Sequence, residues 1–197
     1  MLIPVKDFRQ AKARLAGVVA ADQRIRLARW TADLVVAAAA PLPVFVACDD
    51  SAVAEWAESA GATVLWRPSV GLNAAVLDGI AALADAGIEH AIVAHSDLPL
   101  PSPLAAVVMT GAVVLVPDSR SDGTNVLSVP TRSGFQPAYG SQSFRRHLSD
   151  ALGLGLPVRV HRDPHLALDI DTPADLAHPL IAKALPTWLR TNPVNHP

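Results

Sequence analysis

A single cysteine, Cys48, stands in the chain of 197 residues. It cannot close an internal disulfide, and it suits a reducing compartment. Charge is scarce as well: charged residues make up 17% of the chain, and 16 Lys+Arg against 18 Asp+Glu leave a formal net charge of -2. No global basic field draws such a chain to nucleic acid. Long apolar runs are missing. The stretch from Leu34 to Cys48 is broken by Pro41 and Pro43 and falls short of the roughly 20 residues that span a bilayer. Met1 leads straight into Leu-Ile-Pro-Val-Lys, without the basic region, long apolar stretch and cleavage site of a signal peptide. The expectation is a cytoplasmic protein with no membrane contact. Neither G-x-G-x-x-G nor a P-loop is present, so the usual glycine cradle for phosphate is missing.

Apolar side chains are abundant. Hydrophobic residues form 51% of the sequence, which excludes a disordered chain. At this length folding hides roughly 70% of the unfolded surface, enough for one domain with a full core. The 17 prolines are about 9% of the chain against roughly 5% on average, and several sit where strands should end.

Short apolar runs alternate with helical patterns in the first half. Strands are expected at Leu2 to Val5, Val44 to Ala47, Thr63 to Trp66 and His90 to His95. Between them, Asp22 reads as the cap of a helix whose apolar positions Ile25, Ala28, Ala32, Val35, Val36 and Ala39 recur at spacings of three and four. A second helix runs from about Ala52 to Ser59 with Gly61 as its stop, and Asn73 opens a third that ends near Gly87. This series calls for an α/β fold with a parallel sheet and helices on both faces. After residue 110 the rhythm changes. Val113 to Val116 and Val126 to Val129 read as a hairpin, a helix follows over Gln142 to Leu152, and strands follow at Val158 to Val160 and Leu166 to Ile170. A last helix starts at Pro173. The expected architecture is three layers around a mixed, mainly parallel sheet. The domain covers residues 1–184, with a Pro-rich tail over 185–197.

Ligands in open parallel sheets bind beyond the carboxyl ends of the strands. The loop after the first strand gathers Lys6, Lys12 and Arg14, whose point charges can replace a glycine cradle around phosphates; an ordinary solvated basic loop reads the same way. Asp97, in Ser96-Asp97-Leu98-Pro99 directly after the fourth strand, is placed to hold Mg²⁺ or merely to open a turn. Strand alternation buries Leu168 and Ile170 and sends Asp169 and Asp171 to one face about 7 Å apart. Thr172, Pro173 and Asp175 fit a capped helix start. Capping leaves Asp169 unexplained, so it is the metal candidate to pair with Asp97. Gly123-Thr124-Asn125 and the helix start after Gly140 offer backbone N–H groups and hydroxyls for an anion, or a plain turn and a Ser-capped helix. His161, Asp163 and His165 fall around Pro164 in what reads as a solvated turn rather than a zinc site. Cys48 beside Asp49 and Asp50 is a poor thiolate and is not taken as a nucleophile.

Ile3-Pro4-Val5-Lys6, Ala11-Lys12-Ala13-Arg14-Leu15, Leu72-Asn73, Ser96-Asp97-Leu98-Pro99, Gly123-Thr124-Asn125, the spacing Gly140, Ser143, His147, and Asp169-x-Asp171-Thr-Pro-Ala-Asp-Leu176 occur in one order over residues 3–176. In this the chain resembles the 2-phospho-L-lactate/phosphoenolpyruvate guanylyltransferases that build the deazaflavin coenzyme F-420. The resemblance implies a nucleotidyltransferase-like, Rossmann-like single domain. It implies that GTP and a small phosphorylated three-carbon acid give a guanylylated acid and pyrophosphate, with Mg²⁺. On the same basis Thr124, Gly140 and Ser143 would hold the phosphorylated acid and Asp97 and Asp169 the metal. Lys6, Lys12 and Arg14 would stabilise the departing pyrophosphate, and Asn73 would border the nucleotide. Relatives often carry a second glycine before the Gly-Thr pair; this chain has Ser121-Asp122. Phosphoenolpyruvate is the favoured acid over 2-phospholactate and 3-phosphoglycerate. A pterin or sugar-phosphate acceptor, or a non-catalytic nucleotide-binding module, is the alternative. Apolar composition and the tail are compatible with a homodimer.

Overall fold

A computed structural model describes residues 1–68 and 71–190. The chain order is β1 (Leu2–Pro4), α1 (Ala21–Ala38), β2 (Phe45–Cys48), α2 (Ser51–Ser59), β3 (Thr63–Trp66), α3 (Gly71–Asp85), β4 (His90–Ala94), β5 (Val113–Pro117), β6 (Thr124–Pro130), α4 (Ser143–Gly153), β7 (Val158–Val160), α5 (Pro173–Leu176), α6 (Pro179–Ala184) and α7 (Thr187–Arg190). The strands form one seven-stranded sheet in the order β3-β2-β1-β4-β6-β5-β7. β3, β2, β1 and β4 run parallel, as do β5 and β7; β6 is antiparallel to both of its neighbours.

The continuous apolar runs follow from helices covering both faces. Successive strand residues point to opposite sides. Ile3, Val46, Ile92, Val114 and Val126 thus join one core with α1 and α2 residues, while Leu2, Ala47, Val93, Leu115 and Leu127 join another beneath α3 and α4. Asp50 caps α2 by accepting the Val53 N–H at 3.1 Å. Gly61, at φ +78°, stops the same helix in the left-handed conformation that glycine adopts without a Cβ penalty.

Three local expectations are corrected. α1 begins at Ala21 with Ala20 as its uncapped N-terminal neighbour, so Asp22 lies inside the first turn. α3 begins at Gly71 rather than at Asn73. Leu166 to Ile170 is not a strand. Residues 164–167 turn, with Ala167 N bonded to Asp163 O and Leu168 N to His165 O, and the extended piece beyond has one backbone bond to the sheet region, Ile170 N to Asp97 O at 3.3 Å. Leu168 and Ile170 nevertheless point inward, into a third apolar cluster with Leu15, Val19, Leu27 and Ile181. That cluster carries the aspartates beside the segment after β1.

Leu185, Trp188 and Leu189 pack on the same cluster, and the Arg26 guanidinium lies 4.3 Å from the Trp188 ring centre. The packed body therefore runs past residue 184. The tail prolines Pro193 and Pro197 lie outside the described residues. Among the described residues no helix is long and apolar enough to cross a membrane.

Candidate active site

The carboxyl ends of β1 and β4 face a cavity of about 210 Å³ whose walls include Lys6, Lys12, Leu72, His95, Asp97 and Asp171. A smaller one of about 50 Å³ adjoins it, sharing Lys6 and Leu72 and adding Cys48, Asp49 and Arg67. The expected basic loop divides into distinct roles. Lys12 is almost wholly buried, its side chain 5% exposed. Its ammonium donates to Asp97 Oδ2 at 3.0 Å and to Ile170 O at 2.5 Å, and stands 3.6 Å from Asp171 Oδ1. The Lys12 backbone is left-handed at φ +59°, which costs an L-residue about 1 kcal/mol. The three contacts of the ammonium hold it there. Arg14 is exposed and approaches Asp171 Oδ2 at 3.7 Å. Lys6 is exposed at the cavity wall.

Carboxylate oxygens of Asp97, Asp169 and Asp171 lie within 4.8 Å of one another. Their environments differ. Burial opposes ionisation of Asp97, but the Lys12 charge, His95 and the Lys12 hydrogen bond outweigh it and hold the carboxyl below the usual range. Asp169 goes the other way. Burial and the charges of Asp97, Asp171 and Asp175 push it up to about 7, against a smaller opposing pull from Lys12. Asp97 Oδ1 is buried without a hydrogen-bond partner, although buried polar atoms are normally satisfied. Three crowded carboxylates, one with an unsatisfied oxygen and one reluctant to ionise, suit a hard divalent cation with oxygen ligands. The sequence pointed to Asp97 and Asp169 and left out Asp171. Its signal was the shared face with Asp169, hidden by the neighbouring helix cap. That cap forms: Asp175 Oδ2 accepts the Asp171 and Thr172 N–H groups at 2.9 and 2.6 Å.

Because β6 runs antiparallel, its first residue, Thr124, lies at the same end of the sheet as the carboxyl end of β4. His95 N bonds to Asn125 O at 3.0 Å. Thr124 and Ser143 are buried, and Gly140 turns at φ +115° with its carbonyl accepting the Ser143 N–H at 3.0 Å. The start of α4 is not an open set of backbone donors. The N–H of Gln142 is bonded to Asp122 Oδ1, and that of Phe144 to Asp122 O. With Ser143 N also engaged, the first amides of α4 are spent within the protein. Among the described residues the Thr124 and Ser143 hydroxyls and the Gly140 N–H have no acceptor, and they remain as donors. The Asp118 carboxylate shapes the loop before β6 by accepting from the N–H groups of Arg120, Asp122 and Gly123. Ser121 adopts φ +56° there, a glycine-like conformation without a glycine.

Asn73 spends its side-chain amide on Tyr139, accepting Tyr139 N–H at 2.7 Å and donating to Tyr139 O at 3.3 Å. It pins the segment leading to Gly140 instead of lining the cavity. His147, which the sequence offered only as a motif position, bonds through Nδ1 to Thr124 Oγ1 at 2.9 Å. Asp163 Oδ1 accepts the N–H groups of His165 and Leu166, so the His161 to His165 stretch is a capped turn. Burial pushes the Cys48 thiol up, away from a reactive thiolate.

A family model described as guanylyl transferase CofC like matches residues 1–183. A phosphoenolpyruvate guanylyltransferase from Sphaerobacter thermophilus is 35% identical over 184 residues, covering 89% of each chain. A protein of the same description from Conexibacter woesei is 34% identical over 218 residues, covering 98% of each. Among solved structures, a nucleotidyl transferase from Methanothermobacter thermautotroptrophicus superposes with a TM-score of 0.66 at 17% identity, covering 97% of both chains, a likeness of fold.

Proposed function

The chain belongs to the CofC-like guanylyl transferases, and from that premise we propose that it transfers GMP from GTP to phosphoenolpyruvate, releasing pyrophosphate, in the assembly of the deazaflavin coenzyme F-420. The observation that carries this reading is the cluster of Asp97, Asp169 and Asp171, with Lys12 buried against it, which reaches the cavity at the ends of β1 and β4 through Asp97 and Asp171.

Both reactants are anions, so charge repulsion dominates the barrier. A phosphate group with a second pKa of about 6 is already ionised near neutral pH, and no base need take a proton from it. The protein's task is neutralisation and alignment. Asp97, Asp169 and Asp171 would hold Mg²⁺, which supplies positive charge to phosphate oxygens when bound. Lys12 presents a point charge at the cavity wall. Lys6 and Arg14 add charge where the bond from the α-phosphorus to the departing pyrophosphate breaks. The Thr124 and Ser143 hydroxyls and the Gly140 N–H orient the acid so that its phosphate oxygen forms the new bond in line. Asn73 steadies that loop through Tyr139. Residues 1–184 carry this machinery in the cytoplasm, acting on small molecules; a homodimer is compatible with it.

Mass analysis after incubation with GTP, Mg²⁺ and, separately, phosphoenolpyruvate, 2-phospholactate and 3-phosphoglycerate tests the reading. The guanylylated adduct of phosphoenolpyruvate should predominate. Predominance of another adduct, or no adduct at all, overturns it.

A further inference from the structure

His147 is completely buried on α4, and both of its ring nitrogens are engaged. Nε2 lies 2.8 Å from the Ala138 backbone nitrogen. A backbone amide only donates, so Nε2 must accept and carries no proton. Burial, helped by the charges of Arg146 and His95 and opposed weakly by Asp150, lowers the pKa to about 4. Near neutral pH the ring is therefore neutral, and its one proton sits on Nδ1. That nitrogen is 2.9 Å from Thr124 Oγ1, so the imidazole donates and the hydroxyl accepts.

The consequence falls on Thr124. A hydroxyl is a donor and an acceptor at once, and in solution it rotates freely. Here a lone pair is taken by the ring, so the hydroxyl proton must point away from His147. Among the described residues no acceptor receives it. Phe135 and Tyr139 fix the plane of the imidazole, with ring centres 5.6 and 4.9 Å away. Through Ala138 the same ring also tethers the segment that leads through Tyr139 to Gly140.

We infer that His147 is a positioning residue of the phosphorylated-acid site, holding the Thr124 hydroxyl as a committed donor toward an anionic oxygen and setting the approach of the Gly140 loop on the other side. The inference rests on the reading of Thr124 and Gly140 as acid-binding groups. It adds a buried, uncharged imidazole that never touches the substrate yet selects for an acceptor atom at one point of the site.

Two variants separate the two bonds. In His147→Asn the side-chain amide reaches the place of Nδ1 and can still donate to Thr124; in His147→Gln it reaches the place of Nε2 and keeps only the Ala138 bond. The KM for phosphoenolpyruvate should rise about tenfold in His147→Gln, as expected for one lost hydrogen bond, with the KM for GTP within twofold of wild type. His147→Asn, which keeps the bond to Thr124 but gives up the Ala138 tether of the Gly140 loop, should raise the KM for phosphoenolpyruvate about threefold, less than His147→Gln does, with the KM for GTP within twofold of wild type. Adding Thr124→Val to His147→Gln should raise the acid KM less than twofold further, because the two residues act as one unit. Equal effects of the two His147 variants, or full multiplicativity in the double variant, overturn the inference. The ¹⁵N spectrum of the wild-type imidazole tests it without any variant: a proton on Nδ1 and a bare Nε2 at pH 7 are expected, and the opposite tautomer contradicts it. Wild-type turnover is the control for the activity itself. If wild-type protein makes no guanylylated phosphoenolpyruvate the proposed reaction fails, while the tautomer measurement still decides the role of His147.

Discussion

Lys12 and Asp97 stand 85 positions apart in the sequence, and their side chains meet at 3.0 Å. The contact joins the loop after β1 to the loop after β4 at the point where the sheet's carboxyl ends open. It also places an ammonium among three carboxylates, where it supplies part of the positive charge that a divalent cation would bring. In a partly buried setting such a pair is costly to break from one side, because the remaining charges lose their compensation.

Lys12→Met should therefore lower stability by about 2 kcal/mol when metal is chelated, and Mg²⁺ should restore more of the loss than it adds to wild type. Thermal melts of both proteins, with chelator and with excess Mg²⁺, check this. Equal melting temperatures in chelator would show that the ammonium does not compensate the cluster.

Asp169 gives the pH dependence. Its carboxyl is pushed up to about 7 by burial and by neighbouring acids, whereas in the unfolded chain it ionises near the ordinary value of about 3.9. A raised folded pKa means that the group's contribution to stability is complete below that ordinary value and is lost as pH rises through about 7. In chelator at pH 8, Asp169→Asn should accordingly be more stable than wild type, on the order of 2 kcal/mol, by denaturant titration. The same variant should bind Mn²⁺ more weakly. Wild type should release a proton on binding Mn²⁺ at pH 6, seen by calorimetry in buffers of different ionisation heat. No proton release would place the charged form of Asp169 already in the free protein.

Much of this was legible in the sequence. Thr63 to Trp66 and Val158 to Val160 are strands at the expected bounds, since short runs bounded by glycine and proline specify a strand locally. Leu166 to Ile170 has the same in-out alternation as a strand, but alternation requires only extended backbone with one buried side. A partner strand supplies the rest, and none pairs there. Asp171 was masked by the helix cap that follows it. Asn73 and His147 read as helix residues because their partners, Tyr139 and Thr124, are 66 and 23 positions away. Spacing along one helix carries no trace of such bonds.

Ser143 offers a hydroxyl at the buried start of α4, beside Gly140. Ser143→Ala should raise the KM for phosphoenolpyruvate about five- to tenfold, the scale of one hydrogen bond to a charged acceptor, and leave the KM for GTP within twofold. Steady-state kinetics with each substrate varied in turn decide it; the reverse pattern would assign Ser143 to the nucleotide.

The central claim is that Asp97, with Asp169 and Asp171, holds the cation on which transfer depends. Pyrophosphate release from GTP and phosphoenolpyruvate by Asp97→Asn, at saturating Mg²⁺ and beside a circular dichroism spectrum that confirms folding, tests it most directly. The rate should fall at least about a hundredfold, in line with the loss of several kcal/mol of charge stabilisation. A folded variant that turns over within threefold of wild type would contradict the assignment of the cluster.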